Sequence, residues 1–126
     1  MTSSVCRVED SGSGRHVEAR VEELGEDLVV AVGGGERPHV GCVVLAQPLP
    51  SKISGKRWSA SCSVLTIPPH KEEPIARGIA THLAETLGRV TVVTAGVHDD
   101  GLDADGIAIY LRLGRELGEE LAKRLA

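Results

Sequence analysis

The sequence predicts an α+β fold in which a single sheet carries two helices on one face. Two observations lead to this prediction. The strand-like segments come first and the two long helical patterns come late, which gives the order ββββαβα. The length of 126 residues suits one domain with one hydrophobic core. We therefore predict a mixed, mainly antiparallel sheet in a single domain over residues 15–126, preceded by a flexible tail over residues 1–14, which are rich in Ser, Gly and Asp.

Four strand patterns precede the first helix. The segment RHVEARVEEL alternates apolar and charged residues, which is typical of a half-exposed strand, and a turn at 25–27 joins it to LVVAV as a hairpin. The third strand, PHVGCVVLAQPLP, is apolar over residues 40–46 and ends at two prolines. RWSASCSVLT, residues 57–66, is the fourth strand. After the first helix, RVTVVTAGV is rich in β-branched residues and predicts the last strand.

Both helices are predicted from apolar stripes. In HKEEPIARGIATHLAETLG the stripe repeats every four residues: Ile75, Ile79, Leu83 and Leu87. Gly88 is a suitable C-terminal stop. The last helix is predicted over about 107–125, and Ile109 and Leu113 fall outside its main stripe. We expect these two residues to form a second, exposed apolar contact with another subunit, so that the protein is a homo-oligomer.

The composition excludes several classes of function. The net charge is −4 and no basic stretch occurs, which argues against nucleic-acid binding. No apolar run is long enough to span a membrane, and the first residues lack the pattern of a signal peptide. The three cysteines include no CxxC pair, so we expect a cytoplasmic protein with reduced thiols. With one Trp, one Tyr and no Phe, a flat ligand would have to be held by aliphatic groups, hydroxyls and backbone.

A stripe of hydroxyls is the first candidate binding feature. Strand alternation places Ser59, Ser61 and Ser63 on one face of the fourth strand. Each hydroxyl both donates and accepts hydrogen bonds, so the stripe suits a phosphate or the polar edge of a ring. The alternative is a face that meets only water. Because both helices are predicted on the other face, the stripe is open to a ligand.

Three further segments lie at strand ends or helix starts, where ligand sites concentrate. The glycines of VGGGERPH let backbone N–H groups approach an anion, although a plain flexible turn explains them equally well. His70 and Lys71 stand at the N-terminus of the first helix, which favours anions. His98, in TAGVHDD, precedes two carboxylates and suits proton transfer or a metal. A small metal-dependent enzyme built on His98, His39, His70 and Asp100 is therefore an alternative.

The segments GGGERPHVGCVVLAQP, SASCSVLTIPPHKEEPIA and VTVVTAGVHDD together resemble the LpdD-like prenylated-flavin chaperone family. Its members are the small D subunits found beside gallate-type hydroxyarylic acid decarboxylases. The resemblance runs over about residues 18–121. Pro69 stands where a glycine is expected, and Gly101 where a polar residue is expected, which leaves a different flavin open.

The resemblance implies a non-enzymatic protein that binds prenylated FMN, or FMN. Such a protein would take the cofactor from a flavin prenyltransferase and help to mature a UbiD-type aromatic acid decarboxylase. Nine residues are expected at or near the cofactor: Gly34, Gly35, His39, Ser59, Ser61, Ser63, His70, Lys71 and His98. We further predict that the three serines share one pocket with Lys71 and His98. The remaining alternative is a structural accessory subunit that assembles through Ile109 and Leu113.

Overall fold

The computed structural model describes residues 1–69 and 71–126, which form six strands and two helices. The strands are β1 (Thr2–Glu9), β2 (His16–Leu24), β3 (Asp27–Gly35), β4 (Cys42–Pro50), β5 (Trp58–Thr66) and β6 (Thr91–His98). The helices are α1 (Glu73–Leu87), between β5 and β6, and α2 (Ala104–Leu125), after β6. The predicted α+β class is confirmed. No helix in this part of the chain is both long and apolar enough to cross a membrane.

The six strands form one mixed sheet in the order β1-β2-β3-β6-β4-β5. Only β3 and β6 are parallel, and every other neighbouring pair is antiparallel, as predicted. Because β3 and β6 run in the same direction, their C-terminal ends lie side by side, with Gly35 paired to His98. The antiparallel strand β4 begins at that same end of the sheet, where Cys42 pairs with Ala95.

The predicted flexible tail over residues 1–14 is wrong for most of its length. Thr2–Glu9 form the edge strand β1, which pairs with β2 from Thr2–Glu23 to Glu9–His16. The polar composition of β1 gives no pattern typical of a strand, because only Cys6 on it is fully buried. The strand is instead stabilised by its backbone ladder with β2 and by packing of α2 beneath both strands.

Both helices pack on one face of the sheet and cover the hydrophobic core, as predicted. The core consists almost entirely of aliphatic side chains from β2, β3, β4, β6 and the two helices. Gly88 ends α1 with φ of 65° and donates its N–H to Ala84, and Asp103 caps α2 by accepting from the Gly106 N–H at 2.9 Å. Gly88 thus fixes where the chain leaves α1 for β6, and Asp103 fixes where α2 begins.

The predicted exposed contact on α2 is wrong. Leu113 is fully buried and Ile109 packs partly against the core, whereas Ile107, near the start of the helix, is 44% exposed. The helix contacts α1 as well as β1 and β2, so its apolar sector is wider than one stripe. Gly114 and Gly118 lie against Ile75 and Ile79 of α1.

Candidate functional site

The candidate site begins where the parallel strands β3 and β6 end. The carbonyl oxygen of His98 accepts hydrogen bonds from the N–H groups of Glu36 at 2.8 Å and Arg37 at 3.2 Å. Gly35, just before them, has φ of 74°, a left-handed conformation that glycine adopts easily. The chain therefore turns sharply at this end of β3 and folds back toward the sheet.

The loop of residues 36–41 crosses the face of the sheet that carries no helix. A methyl group on Gly96 would overlap the carbonyl oxygen of His39, and one on Gly33 would lie 2.9 Å from the Pro38 Cβ. Gly34 is equally restricted, because its Cβ position falls against the backbone of His16. The glycine run therefore serves close approach of backbone to backbone.

Under this loop lies the open-face cavity, of about 460 Å³. Its lining comes from β2, β3, β6 and the loop: His16, Glu18, Arg20, Ala31, Val32, Gly33, Pro38, His39, Val40 and Thr94. The volume is within the range of about 300–1,000 Å³ that is usual for small-molecule sites. Aliphatic groups form the walls, and two histidines and an arginine are available at the rim.

Thr94 lines this cavity, and its hydroxyl oxygen is buried with no hydrogen-bond partner among the residues that the structure describes. A buried hydroxyl without a partner costs about 1–3 kcal/mol, and such groups are rare in native proteins. A ligand with a polar ring edge would supply the missing partner. The pattern of β-branched residues in β6 gives no sign of this role, so the sequence alone did not point to Thr94.

His39 anchors the loop to the start of α1. Its Nε2 lies 3.0 Å from the Oε1 of Glu72, whose side chain is only 6% exposed, and its Nδ1 lies 3.1 Å from the carbonyl oxygen of Arg37. A buried carboxylate needs such a partner to offset its desolvation. Glu72 thus fixes both the loop and one wall of the open-face cavity, a role that its place at the start of α1 does not reveal from sequence.

A second, shallower hollow of about 300 Å³ lies beside His39 and is lined by Arg37 and His98. The Nε2 of His98 lies 2.8 Å from the Arg37 Nη2 and 3.0 Å from the Asp100 Oδ1, and Arg37 also forms an ion pair with Asp100. The hydrogen bond from His98 and the charge of Arg37 lower the pKa of Asp100. An anion bound here would compete with Asp100 for the guanidinium.

This hollow does not have the form of a metal site. The described residues contain no group of three His, Cys, Asp or Glu side chains that could hold a metal ion. Arg37 contacts both His98 and Asp100 and already supplies the positive charge that a metal would bring. His70, the fourth residue of the metal hypothesis, lies outside the described residues.

The carboxylate of Asp99 connects the site to α2 and to the residues around it by hydrogen bonds. It accepts hydrogen bonds from the Glu36 N–H at 2.9 Å, from Arg15 Nε at 3.3 Å and from the hydroxyl of Tyr110 on α2. Burial alone would raise its pKa, but the bonds from Tyr110, Glu36 and Arg15 together lower it. Burial, followed by the bond to Asp99, raises the pKa of Tyr110 well above its usual range. The network joins β3, β6 and α2 at the site.

The structure does not bring the serine stripe to this site. Ser63 pairs with Leu45, and Leu45 pairs with Val92, which precedes His98 by six residues. At about 3.3 Å per residue, Ser63 and His98 are separated by about 20 Å along the strands. Ser61 and Ser59 are farther still, because β5 runs antiparallel to β4 and its serines come before its end at Thr66.

Lys71 is also separate from the serines. It is exposed and lines a small cavity of about 120 Å³ on the helix side of the sheet, together with Glu72, Ile107 and Tyr110. The serines lie on the opposite, open face. The prediction of one pocket shared by the serines, Lys71 and His98 is therefore wrong, whereas Gly34, Gly35, His39 and His98 do lie together at one end of the sheet.

The open-face cavity fits a flavin in its chemistry. Ala31, Pro38 and Val40 offer aliphatic contact to a ring, and Thr94 offers an unpaired hydroxyl. Arg20 is 74% exposed and its contact to Glu18 is a long 3.6 Å, so its guanidinium can turn toward a phosphate. Among the described residues that line the cavity there is no Phe, Tyr or Trp, in keeping with the composition.

Comparisons with known proteins bear on the fold and on the family. The solved structures include a crystal structure of a chaperone complex for yeast 20S proteasome assembly, which is 18% identical, has a TM-score of 0.66 and is matched over 100% of both chains. At that identity the likeness concerns the fold alone. A search of curated proteins finds no match. Residues 11–126 match the prenylated flavin chaperone LpdD-like domain, and the chain belongs to that family.

Proposed function

We propose that this protein binds prenylated FMN, or FMN, in the open-face cavity without catalysing a reaction. In the cytoplasm it would receive the cofactor from a flavin prenyltransferase and pass it to a UbiD-type aromatic acid decarboxylase, to which the bound cofactor gives its decarboxylation chemistry. The observation that carries the proposal is the unpartnered Thr94 hydroxyl in a cavity of ligand size, in a chain of this family.

Each residue would contribute to cofactor binding according to its chemistry. Thr94 would bond the polar edge of the ring, and Arg20 would bind the phosphate. His39 and the backbone turn at Gly34 and Gly35 would hold the loop over the ligand and exclude water from it. His98 would support that loop through its carbonyl oxygen, which already accepts two N–H groups.

The serine stripe, His70 and Lys71 were also predicted to contact the cofactor. The serines and Lys71 lie outside the open-face cavity, and His70 lies outside the described residues, so their part in binding stays a prediction. Ser61→Ala/Ser63→Ala is therefore a matched control, since it removes two hydroxyls from the same face at a distance from the cavity.

The test is anaerobic co-expression with a flavin prenyltransferase, followed by absorbance and mass spectrometry of the purified protein, and titration with FMN. We expect the wild type to carry flavin. Thr94→Val should weaken binding by about threefold to tenfold, the value of one hydrogen bond. It should not lower the melting temperature, because the hydroxyl that it removes has no partner among the described residues. Arg20→Ala should make binding less sensitive to salt.

Three results would count against the proposal. If no flavin co-purifies and FMN does not bind at micromolar concentration, the protein is not a flavin carrier. If the double serine variant loses flavin and Thr94→Val keeps it, the site lies on the serine stripe instead. Stoichiometric metal that disappears in His98→Ala would favour the metal-dependent enzyme.

A further inference from the structure

A cavity of about 310 Å³ lies between α1 and α2, and every described residue that lines it belongs to one of these helices. It is therefore separate from the open-face cavity, which lies among β2, β3, β6 and the loop. Ile75, Ile79 and Leu111 give it an aliphatic floor. Its volume reaches the lower end of the range of about 300–1,000 Å³ that is usual for small-molecule sites, so it has room for a small ligand.

Gly78 keeps this cavity open on the side of α1. It lines the cavity and is exposed, and a Cβ atom at its position would have nothing within 4 Å. By contrast, the Cβ position of Gly114 on α2 lies 3.2 Å from the Ile75 side chain. Glycine is among the least favourable residues in a helix interior, because its backbone loses the most freedom there. Packing within the chain gives no reason for a glycine at residue 78, whereas a ligand in contact with α1 gives one.

Two charged side chains of α2, Arg115 and Glu119, also line the cavity, and both residues are exposed. They stand four residues apart, a spacing at which opposite charges usually pair on a helix. Arg112 and Glu116, with the same spacing and order on the same helix, do pair at 3.2 Å. Among the described residues, however, neither Arg115 nor Glu119 makes an ion pair or a hydrogen bond. The guanidinium of Arg115 is therefore free to bind an anion in the cavity.

His82 adds a second hydrogen-bonding group, on the side of α1. It lines the cavity, and its Cδ2 lies 3.8 Å from the Cβ position of Gly118. An imidazole ring carries one N–H donor when neutral and two when charged. The aliphatic floor is thus bordered by the donors of His82 and Arg115, and Glu119 is the one negative charge among the described residues of the lining.

We propose that this cavity binds a small apolar carboxylate, with its apolar body on the aliphatic floor and its carboxylate on Arg115. A planar guanidinium presents paired N–H donors that match both oxygens of a carboxylate. His82 can donate to the same group, whereas Glu119 opposes the negative charge and so limits the affinity. This inference does not depend on the proposed function, since the cavity shares no described residue with the open-face cavity.

Titration of the full chain followed by two-dimensional NMR tests the proposal with three probes of the same shape: benzoate, neutral benzamide and cationic benzylamine. At fixed ionic strength we expect benzoate to shift the amide signals of Gly78 and Gly114. It should bind at about millimolar concentration, which is usual for so small a ligand. Benzoate should bind about fivefold more tightly than benzamide, and benzylamine should bind most weakly.

Three variants test the charge selectivity. Arg115→Ala should lower the affinity for benzoate about fivefold, to that of benzamide, and leave benzamide binding unchanged. Glu119→Gln should raise the affinity for benzoate about twofold, because a like charge is removed. Lys123→Ala is the matched control, since Lys123 is exposed on α2 and does not line the cavity, and it should leave all three affinities unchanged.

Gly78→Leu tests the place of binding. The new side chain should fill the cavity from the side of α1, and leucine is a far better helix former than glycine. The melting temperature should therefore not fall, while all three probes should lose their binding. Gly78→Ala, which adds a single methyl group, gives the same readout in weaker form if the leucine variant fails to fold.

Each contrary result would overturn the proposal. If no probe shifts these signals at up to about 20 mM, the cavity binds no such ligand. Equal affinities for the three probes, or tightest binding of benzylamine, would show that Arg115 does not select a carboxylate. Benzoate binding that persists in folded Gly78→Leu would lie at another site.

Discussion

The two faces of the same six strands are covered in different ways. On the helix side, aliphatic residues such as Val30, Val44 and Val93 are fully buried beneath α1 and α2. On the open side, the same sheet carries serines, Thr94, Arg20 and glycines, and the loop of residues 36–41 lies against Gly33 and Gly96. The helix side provides stability, whereas the open side retains an unpaired hydroxyl and a cavity, which is the arrangement expected of a binding surface.

The comparison predicts a large difference in the response to truncation. Leu83→Ala removes a fully buried side chain of α1 and should lower the free energy of unfolding by about 2–5 kcal/mol. Leu65→Ala on the open face, where the side chain is 75% exposed, should change it by less than about 0.5 kcal/mol. Urea denaturation measures both values, and equal losses would show that the open face is covered in solution.

The loop over the open face should depend on Gly96. Gly96→Ala places a methyl group on the His39 carbonyl oxygen and should cost about 1–3 kcal/mol or displace the loop. Gly78→Ala is the matched control, since nothing lies within 4 Å of its Cβ position on α1. It should be neutral or stabilising. Hydrogen exchange of residues 36–41 reports the loop directly, and unchanged protection in Gly96→Ala would contradict this account.

The Asp99 network should make stability depend on pH at both extremes. Its lowered pKa means that Asp99 contributes stability above its unfolded pKa, which is lost as the pH falls through the folded pKa. The raised pKa of Tyr110 contributes stability below about pH 10, which is lost as the pH rises further. Tyr110→Phe should cost about 1–3 kcal/mol at neutral pH, because a buried bond to Asp99 is removed.

Tyr110→Phe should also move acid unfolding to higher pH. It should remove the loss of stability that the wild type shows above about pH 10. Melting curves between pH 2 and 11 measure both effects. If the variant and the wild type follow parallel curves, the hydroxyl contributes nothing to the pH dependence and the network is not coupled as described.

The smallest expected effect concerns the hollow beside His98. Asp100→Asn releases Arg37 from its ion pair and should leave the melting temperature unchanged, because both side chains are exposed. Binding of inorganic phosphate at low salt should strengthen by about threefold, and 0.5 M salt should abolish the gain. Phosphorus NMR titration measures the affinity for phosphate, and Asp27→Asn, at the other end of the sheet, is the control. An equal gain in both variants would reflect net charge alone.

The periodicity of apolar residues is enough to predict most of the fold without any tertiary contact. The alternation of β2, the stripe from Ile75 to Leu87 and the β-branched run of β6 each reflect one buried face, and a buried face is a local property of sequence. Short motifs likewise carried the resemblance to the family, and the match over residues 11–126 confirms that the chain belongs to it. By contrast, β1 escaped prediction because only Cys6 on it is buried.

Which residues come together at the site depends on strand order and register, and neither can be read from the sequence directly. The sequence by itself placed hydroxyls, glycines and histidines near strand ends, and four of the predicted binding residues, Gly34, Gly35, His39 and His98, lie together in the structure. Only the tertiary structure decided that β6 inserts between β3 and β4, which sets His98 beside Gly35 and Thr94 beneath the loop. The same register places Ser63 about 20 Å from His98 along the strands, and Ser61 and Ser59 farther still. Neighbouring strands can be distant in sequence, so no local pattern could have fixed that separation.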